Sequence, residues 1–141
     1  MKNNYLEIPE EFISHFNLKS NPQFEVDFDG KVFAPNTSQI AFDLDGTLAE
    51  VDRTNFSYPF PIGPMNPKMK KVLDTWIKAG FEVVLFTARD LDDLTQKQLI
   101  SEWLLSNGYS YIPFTNKKSY RFLIMYDDRA IGIDEKFNLK L

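Results

Sequence analysis

The sequence predicts an α/β fold, a three-layer doubly wound parallel sheet, on three observations. Apolar runs of strand length recur at residues 40–42, 81–86 and 122–126. Helix-period stretches with their own start and stop signals follow the first two of them. Each run closes on polar residues that can do chemistry: Asp43 and Asp45, then Thr87, then Asp127 and Asp128. Strands alternating with helices call for parallel pairing through right-handed crossovers, with helices on both faces of the sheet. In such sheets, ligands gather outside the carboxyl ends of the strands.

Residues 1–38 read as a small extension and 39–141 as the main domain. Ile8, Phe12, Phe16 and Ile13 form a helical stripe within residues 8–18, and residues 23–33 read as a β-hairpin turning on Asp29-Gly30 in a two-residue loop. The extension is expected to cover a sheet edge, with a partner-binding or oligomerisation role as the alternative. His15, the single histidine, sits there beside apolar residues and is given no catalytic role.

The first strand of the main domain runs into Asp43-Leu44-Asp45-Gly46-Thr47-Leu48. Strand side chains alternate, so Asp43 and Asp45 share one face, and Gly46 permits the sharp turn that ends the strand. A loop over residues 49–66 follows, stiffened by prolines and carrying Phe56, Tyr58 and Phe60, which read either as a flap packed on the core or as stackers for a base or sugar. Asn66-Pro67 starts a helix with Val72, Leu73, Trp76 and Ile77 as its stripe and Gly80 as its stop. After strand 81–86, a second helix spans residues 91–106 with Leu94, Leu99, Ile100, Trp103 and Leu104 inward and Asn107-Gly108 as its end. A short strand is expected at residues 109–113. Both tryptophans read as core.

Composition narrows the functional class. The chain has 141 residues, 43% hydrophobic and 15% aromatic, enough for one packed core and too apolar for general disorder. It has no cysteine, which removes disulfides, thiol nucleophiles and thiolate metal sites and fits a reducing compartment. No apolar run approaches the roughly 20 residues that span a bilayer, so a cytoplasmic protein without membrane contact is expected. The net charge of −4 disfavours, without excluding, nucleic acid as a partner.

Two carboxylates at one strand end and two at another are hard to reconcile without a cation or a basic partner. Oxygen ligands of this kind suit a hard divalent ion. Thr87 would donate to a phosphate oxygen with neighbouring backbone amides, Ala88 among them, and Lys117-Lys118 supply positive charge in the loop before the last strand.

Strand-DLDGTL, strand-FTAR, lysine and strand-YDDRA, in that order, resemble the four-motif layout of the haloacid dehalogenase-like phosphohydrolase superfamily over residues 40–131. Neither the gap after the first motif nor that after the second has room for an inserted cap, so the likeness is to the capless subset with an open site. The resemblance implies that Asp43 is the nucleophile and the site of an aspartyl phosphate, and that Asp45 is the general acid and base. It also implies that Thr87, Ala88 and Lys118 hold the phosphoryl group; a shift of one residue would make the lysine Lys117, because Ser119 stands where relatives carry proline. Mg²⁺ would be held by Asp43, Asp45 through its carbonyl, Asp127 and Asp128. The expected activity is hydrolysis of a small phosphorylated metabolite, a nucleotide or sugar phosphate. A phosphatase of nucleic-acid ends or phosphoproteins is the alternative enzyme, and a receiver-like phosphoaspartate signalling module is the alternative of another class. A homo-oligomer could close the open site. Arg53 and Arg89 are candidate contacts to a second anionic group.

Overall fold

The computed structural model describes residues 4–18, 24–52, 54, 56–134 and 136–140. Its strands are β1 (Tyr5–Glu7), β2 (Glu25–Val26), β3 (Val32–Pro35), β4 (Gln39–Asp43), β5 (Glu82–Phe86), β6 (Phe114–Thr115), β7 (Phe122–Tyr126), β8 (Gly132–Ile133) and β9 (Leu139–Lys140). Helices α1 (Pro67–Lys78) and α2 (Leu94–Ser106) lie on either side of β5 in the chain, and a 3-10 helix spans Glu10–His15.

The centre is a parallel sheet in the order β6-β5-β4-β7. Ile40 and Phe42 of β4 register with Val83 and Leu85 of β5 and with Ile124 and Tyr126 of β7, so these side chains share one face. They form a single buried cluster with Leu73 and Trp76 of α1 and Ile100, Trp103 and Leu104 of α2. The connections β4-α1-β5 and β5-α2-β6 step the same way along the sheet, and right-handed crossovers then put both helices on that one face. The chain passes from β6 to β7 through a loop without a helix. Among the described residues the opposite face, with Ala41, Val84 and Met125, therefore carries no helical layer, where helices on both faces were expected. The α/β class with a parallel sheet is as the alternation predicts.

Local signals explain the helix ends. Asn66 accepts the Met69 amide through its side chain at 3.1 Å and Pro67 occupies the first turn, while Gly80 at φ 93 releases the chain into β5. Helix α2 starts three residues later than its apolar pattern predicts. Asp90 accepts the Asp92 amide and Asp93 caps Thr95, which turns the chain before the helix can begin. Leu94 is consequently exposed, and Gln96 takes a buried place. Residues 109–113 form turns rather than a strand: Gly108 is left-handed, the Tyr109 amide reaches back to Leu104 and that of Ile112 to Tyr109, so pairing begins only with the Pro113 carbonyl on Leu85.

The amino-terminal segment forms an antiparallel sheet ordered β1-β3-β2. Its turn is a hairpin, with three loop residues instead of two. Asp27 and Lys31 still pair, Gly30 adopts φ 80, and the Asp27 carboxylate accepts the Asp29 and Lys31 amides. The helical stripe makes six residues of 3-10 helix, and Phe12 stacks on Trp76 with ring centroids 4.8 Å apart. Ile8, Phe12, Val32 and Ala34 join the same core cluster as the central sheet.

Candidate active site

Three strands deliver the site at their carboxyl ends. β4 ends on Asp43, β5 is followed by Thr87, Ala88 and Arg89, and β7 by Asp127 and Asp128. Asp43, Asp127 and Asp128 each bring a carboxylate oxygen to within 4.8 Å of the others. Gly46 makes this closeness feasible: its φ is 90 and a Cβ there would run into the Asp128 carboxylate. Thr47 ties the two strand ends together, donating its hydroxyl to Asp43 at 3.2 Å and accepting the Asp128 amide at 3.1 Å.

Burial pushes the Asp43 carboxyl up to about 7, with the negative charge of Asp127 and a carboxyl contact from Asp128 adding to the rise and the Thr47 hydroxyl opposing it. A half-buried acid with two acidic neighbours is a site short of positive charge. The donor set, three carboxylates within reach of one another, fits a hard divalent cation such as Mg²⁺.

Asp45 lies beside this cluster and is held differently. Arg89 donates from Nε to Oδ2 at 2.8 Å and from Nη2 to Oδ1 at 2.7 Å, a bidentate pair in which the arginine side chain is 6% exposed. Arg89 Nη1 also donates to Gln96 Oε1 at 2.8 Å and to the Phe60 carbonyl. Arg89 is thus a buried partner of Asp45 rather than a free cation awaiting a second anionic group. Arg53 lies outside the described residues.

The acids and the aromatic loop line one cavity of about 600 Å³. Asp43, Asp45, Asp127 and Asp128 share it with Phe56, Tyr58 and Phe60 and with Ala88, Arg89, Asp90 and Arg129, and the Arg89 guanidinium lies 5.8 Å from the Phe56 ring centroid. Tyr58-Pro59 is a cis peptide. Tyr58 donates its hydroxyl to Asp93 at 3.0 Å and Gln96 donates to the Pro59 carbonyl at 2.8 Å, so the loop is fixed to the start of α2.

Asp43, Asp45, Ala88, Asp127 and Asp128 therefore come together as their places at strand ends predict. Thr87 and the lysines do not line the cavity. Thr87 is buried and its hydroxyl accepts the Arg89 amide at 3.1 Å; Lys117 and Lys118 are exposed in the loop between β6 and β7. The residues that pattern reading missed are Gln96 and Asp93, whose polar side chains at the start of α2 carry no spacing signal. His15 shares a hydrogen bond with Tyr126 at 2.9 Å, away from the cavity. Comparison of the chain with protein-family models, with curated proteins and with solved structures finds no match to any of them.

Proposed function

We propose that the protein is a Mg²⁺-dependent phosphomonoester hydrolase of the haloacid dehalogenase-like kind, capless, working through an aspartyl phosphate on a small phosphorylated metabolite. The observation that carries this reading is the convergence of Asp43, Asp127 and Asp128 in the lining of a cavity that Asp45 also lines. The order of the motifs along the chain supports it, as does their delivery by adjacent parallel strands. A cytoplasmic setting, to which a chain without cysteine is suited, belongs to the same proposal.

In this reading Asp43 attacks phosphorus through a carboxylate oxygen while the bond to the leaving oxygen breaks. Asp45 gives that oxygen its proton, then takes one from the water that hydrolyses the acyl phosphate. Asp43, Asp127 and Asp128, with the Asp45 carbonyl, would hold the cation. When bound, it supplies the positive charge that keeps Asp43 ionised and offsets charge on the phosphoryl oxygens. Ala88 lines the cavity, and its backbone amide and Lys118 would hold the phosphoryl group.

A second reading is favoured by one observation. Both Asp45 oxygens are engaged by Arg89, which leaves neither free to reach a leaving group or a water, as in a receiver-like module with a lasting phosphoaspartate. Hydrolysis of p-nitrophenyl phosphate with Mg²⁺ and with EDTA, beside the Asp43→Asn variant, separates the two. Metal-dependent turnover lost in the variant supports the hydrolase. A stable phosphoaspartate without turnover supports the module.

A further inference from the structure

Beside the acids, the cavity is lined by the rings of Phe56, Tyr58 and Phe60. Phe56 and Phe60 lie 5.0 Å apart between centroids, and Tyr58 meets Phe60 edge-on at 5.7 Å. Phe56 is 45% and Tyr58 61% exposed, so both present ring surface to solvent. Behind them every hydrogen-bonding group already has a use. The Tyr58 hydroxyl is spent on Asp93, whose other oxygen caps Thr95. Gln96 gives its amide nitrogen to Pro59 and its oxygen to Arg89, and Arg89 spends four of its N–H groups on Asp45, Phe60 and Gln96. The rings offer flat apolar surface, and the polar groups that support them are already engaged. A sugar, recognised through its hydroxyls, would be left with unmade hydrogen bonds there, whereas an aromatic base is recognised through its face.

Charge and size restrict the ligand further. On the phosphomonoesterase reading the phosphate goes to the acid cluster, and about 600 Å³ lies within the range of small-molecule sites. Asp90 and Asp93 add negative charge, so that the acids in the lining outnumber Arg89 and Arg129, which disfavours a long polyanionic strand. Resting on the phosphomonoesterase reading above, we propose that the substrate class is the nucleoside monophosphates, with the base on Phe56 and Tyr58 and the phosphate at Asp43.

The test is titration of the full-length Asp43→Asn protein, in buffer containing Mg²⁺, with AMP, with ribose 5-phosphate and with a 5′-phosphorylated oligonucleotide, followed by calorimetry. The expected result is that AMP binds at least about tenfold more tightly than ribose 5-phosphate, the effect of one stacked base. That preference should be lost when Phe56→Ala is added and kept with Phe56→Trp, which retains a stacking face on a residue exposed enough to tolerate both changes. Equal affinity for AMP and ribose 5-phosphate overturns the proposal, as does tighter binding of the oligonucleotide or no AMP binding at millimolar concentration. Turnover reads the two ideas apart. A wild-type protein that prefers AMP but hydrolyses no phosphomonoester removes the hydrolase and leaves the base wall; metal-dependent hydrolysis of p-nitrophenyl phosphate without an AMP preference does the reverse.

Discussion

Asp45 and Arg89 stand 44 positions apart in the chain and meet through two hydrogen bonds of 2.7 and 2.8 Å, and this pair decides how the acid of the site can behave. A guanidinium fork matches a carboxylate in a way an ammonium cannot. Arg89→Lys should therefore lower kcat on p-nitrophenyl phosphate by about tenfold to a hundredfold, the range expected when a reacting group is misplaced by about an ångström. The same change leaves the Phe60 carbonyl and Gln96 short of a donor, so it should also cost about 2 kcal/mol in a urea titration. Full activity in Arg89→Lys would mean that Asp45 needs no bidentate partner. Gly46→Ala tests the other side of the cluster, because a left-handed backbone and the neighbouring Asp128 carboxylate both resist a Cβ. Loss of about 1–3 kcal/mol is expected, with weaker Mg²⁺ binding by calorimetry. At this scale the sequence disclosed residues whose place follows from a strand end: Asp43, Asp127 and Asp128. It did not disclose the Asp45–Arg89 pair, since no local period couples two loops, nor the distance of Lys118 from the cavity, which depends on how the loop between β6 and β7 lies.

Elements with strong local signals appear where the pattern puts them. Helix α1 has a side-chain cap, a proline in its first turn and a terminal glycine, and all three act as the sequence reads. Helix α2 shows the limit of apolar spacing: Leu94 fits the stripe but sits outside, because the Asp90 and Asp93 side chains fix where the helix can start. The amino-terminal elements were legible as a stripe and a hairpin, while their docking was not, since Phe12 meets Trp76 only after α1 has packed on the sheet. That docking has an energetic consequence. Phe12 is 7% exposed and stacked on a fully buried indole, so Phe12→Ala should destabilise the whole protein by about 3 kcal/mol. The loss should appear in a single cooperative urea transition. If residues 1–38 were instead a separate unit, Phe12→Ala would melt the far-ultraviolet signal in two steps and leave the site intact.

Over the whole molecule, the acid cluster sets stability against the readiness of the site, and the balance depends on pH. Folding raises the Asp43 carboxyl from 3.8 to about 7, so between those values the folded chain holds a proton that the unfolded chain releases. The associated stability is complete below the unfolded value and is lost as pH rises through 7. In EDTA the urea midpoint should accordingly fall from pH 5 to pH 8. Asp43→Asn, which has the same shape and cannot ionise, should match the wild type only below the unfolded value of 3.8 and exceed it by a margin that grows up to pH 7. On the proposed reading Mg²⁺ would bind the charged cluster and not the unfolded chain, so it should restore the wild-type midpoint most strongly at pH 8 and do little for Asp43→Asn. A second titration lies further up the scale. Burial pushes the Tyr126 phenol up to about 12, against the hydrogen bond it accepts from Trp76 Nε1 at 3.0 Å, and the ring also stacks on Phe42. Because the folded value lies above the ordinary 10, folding favours the neutral phenol, and that contribution is lost between pH 10 and pH 12. Tyr126→Phe keeps the ring and has nothing to ionise, so its midpoint should decline less steeply over that window. An identical decline in the two proteins would mean that alkaline unfolding begins at another group and that Tyr126 is wetter than its packing against Phe42 and Trp76 implies.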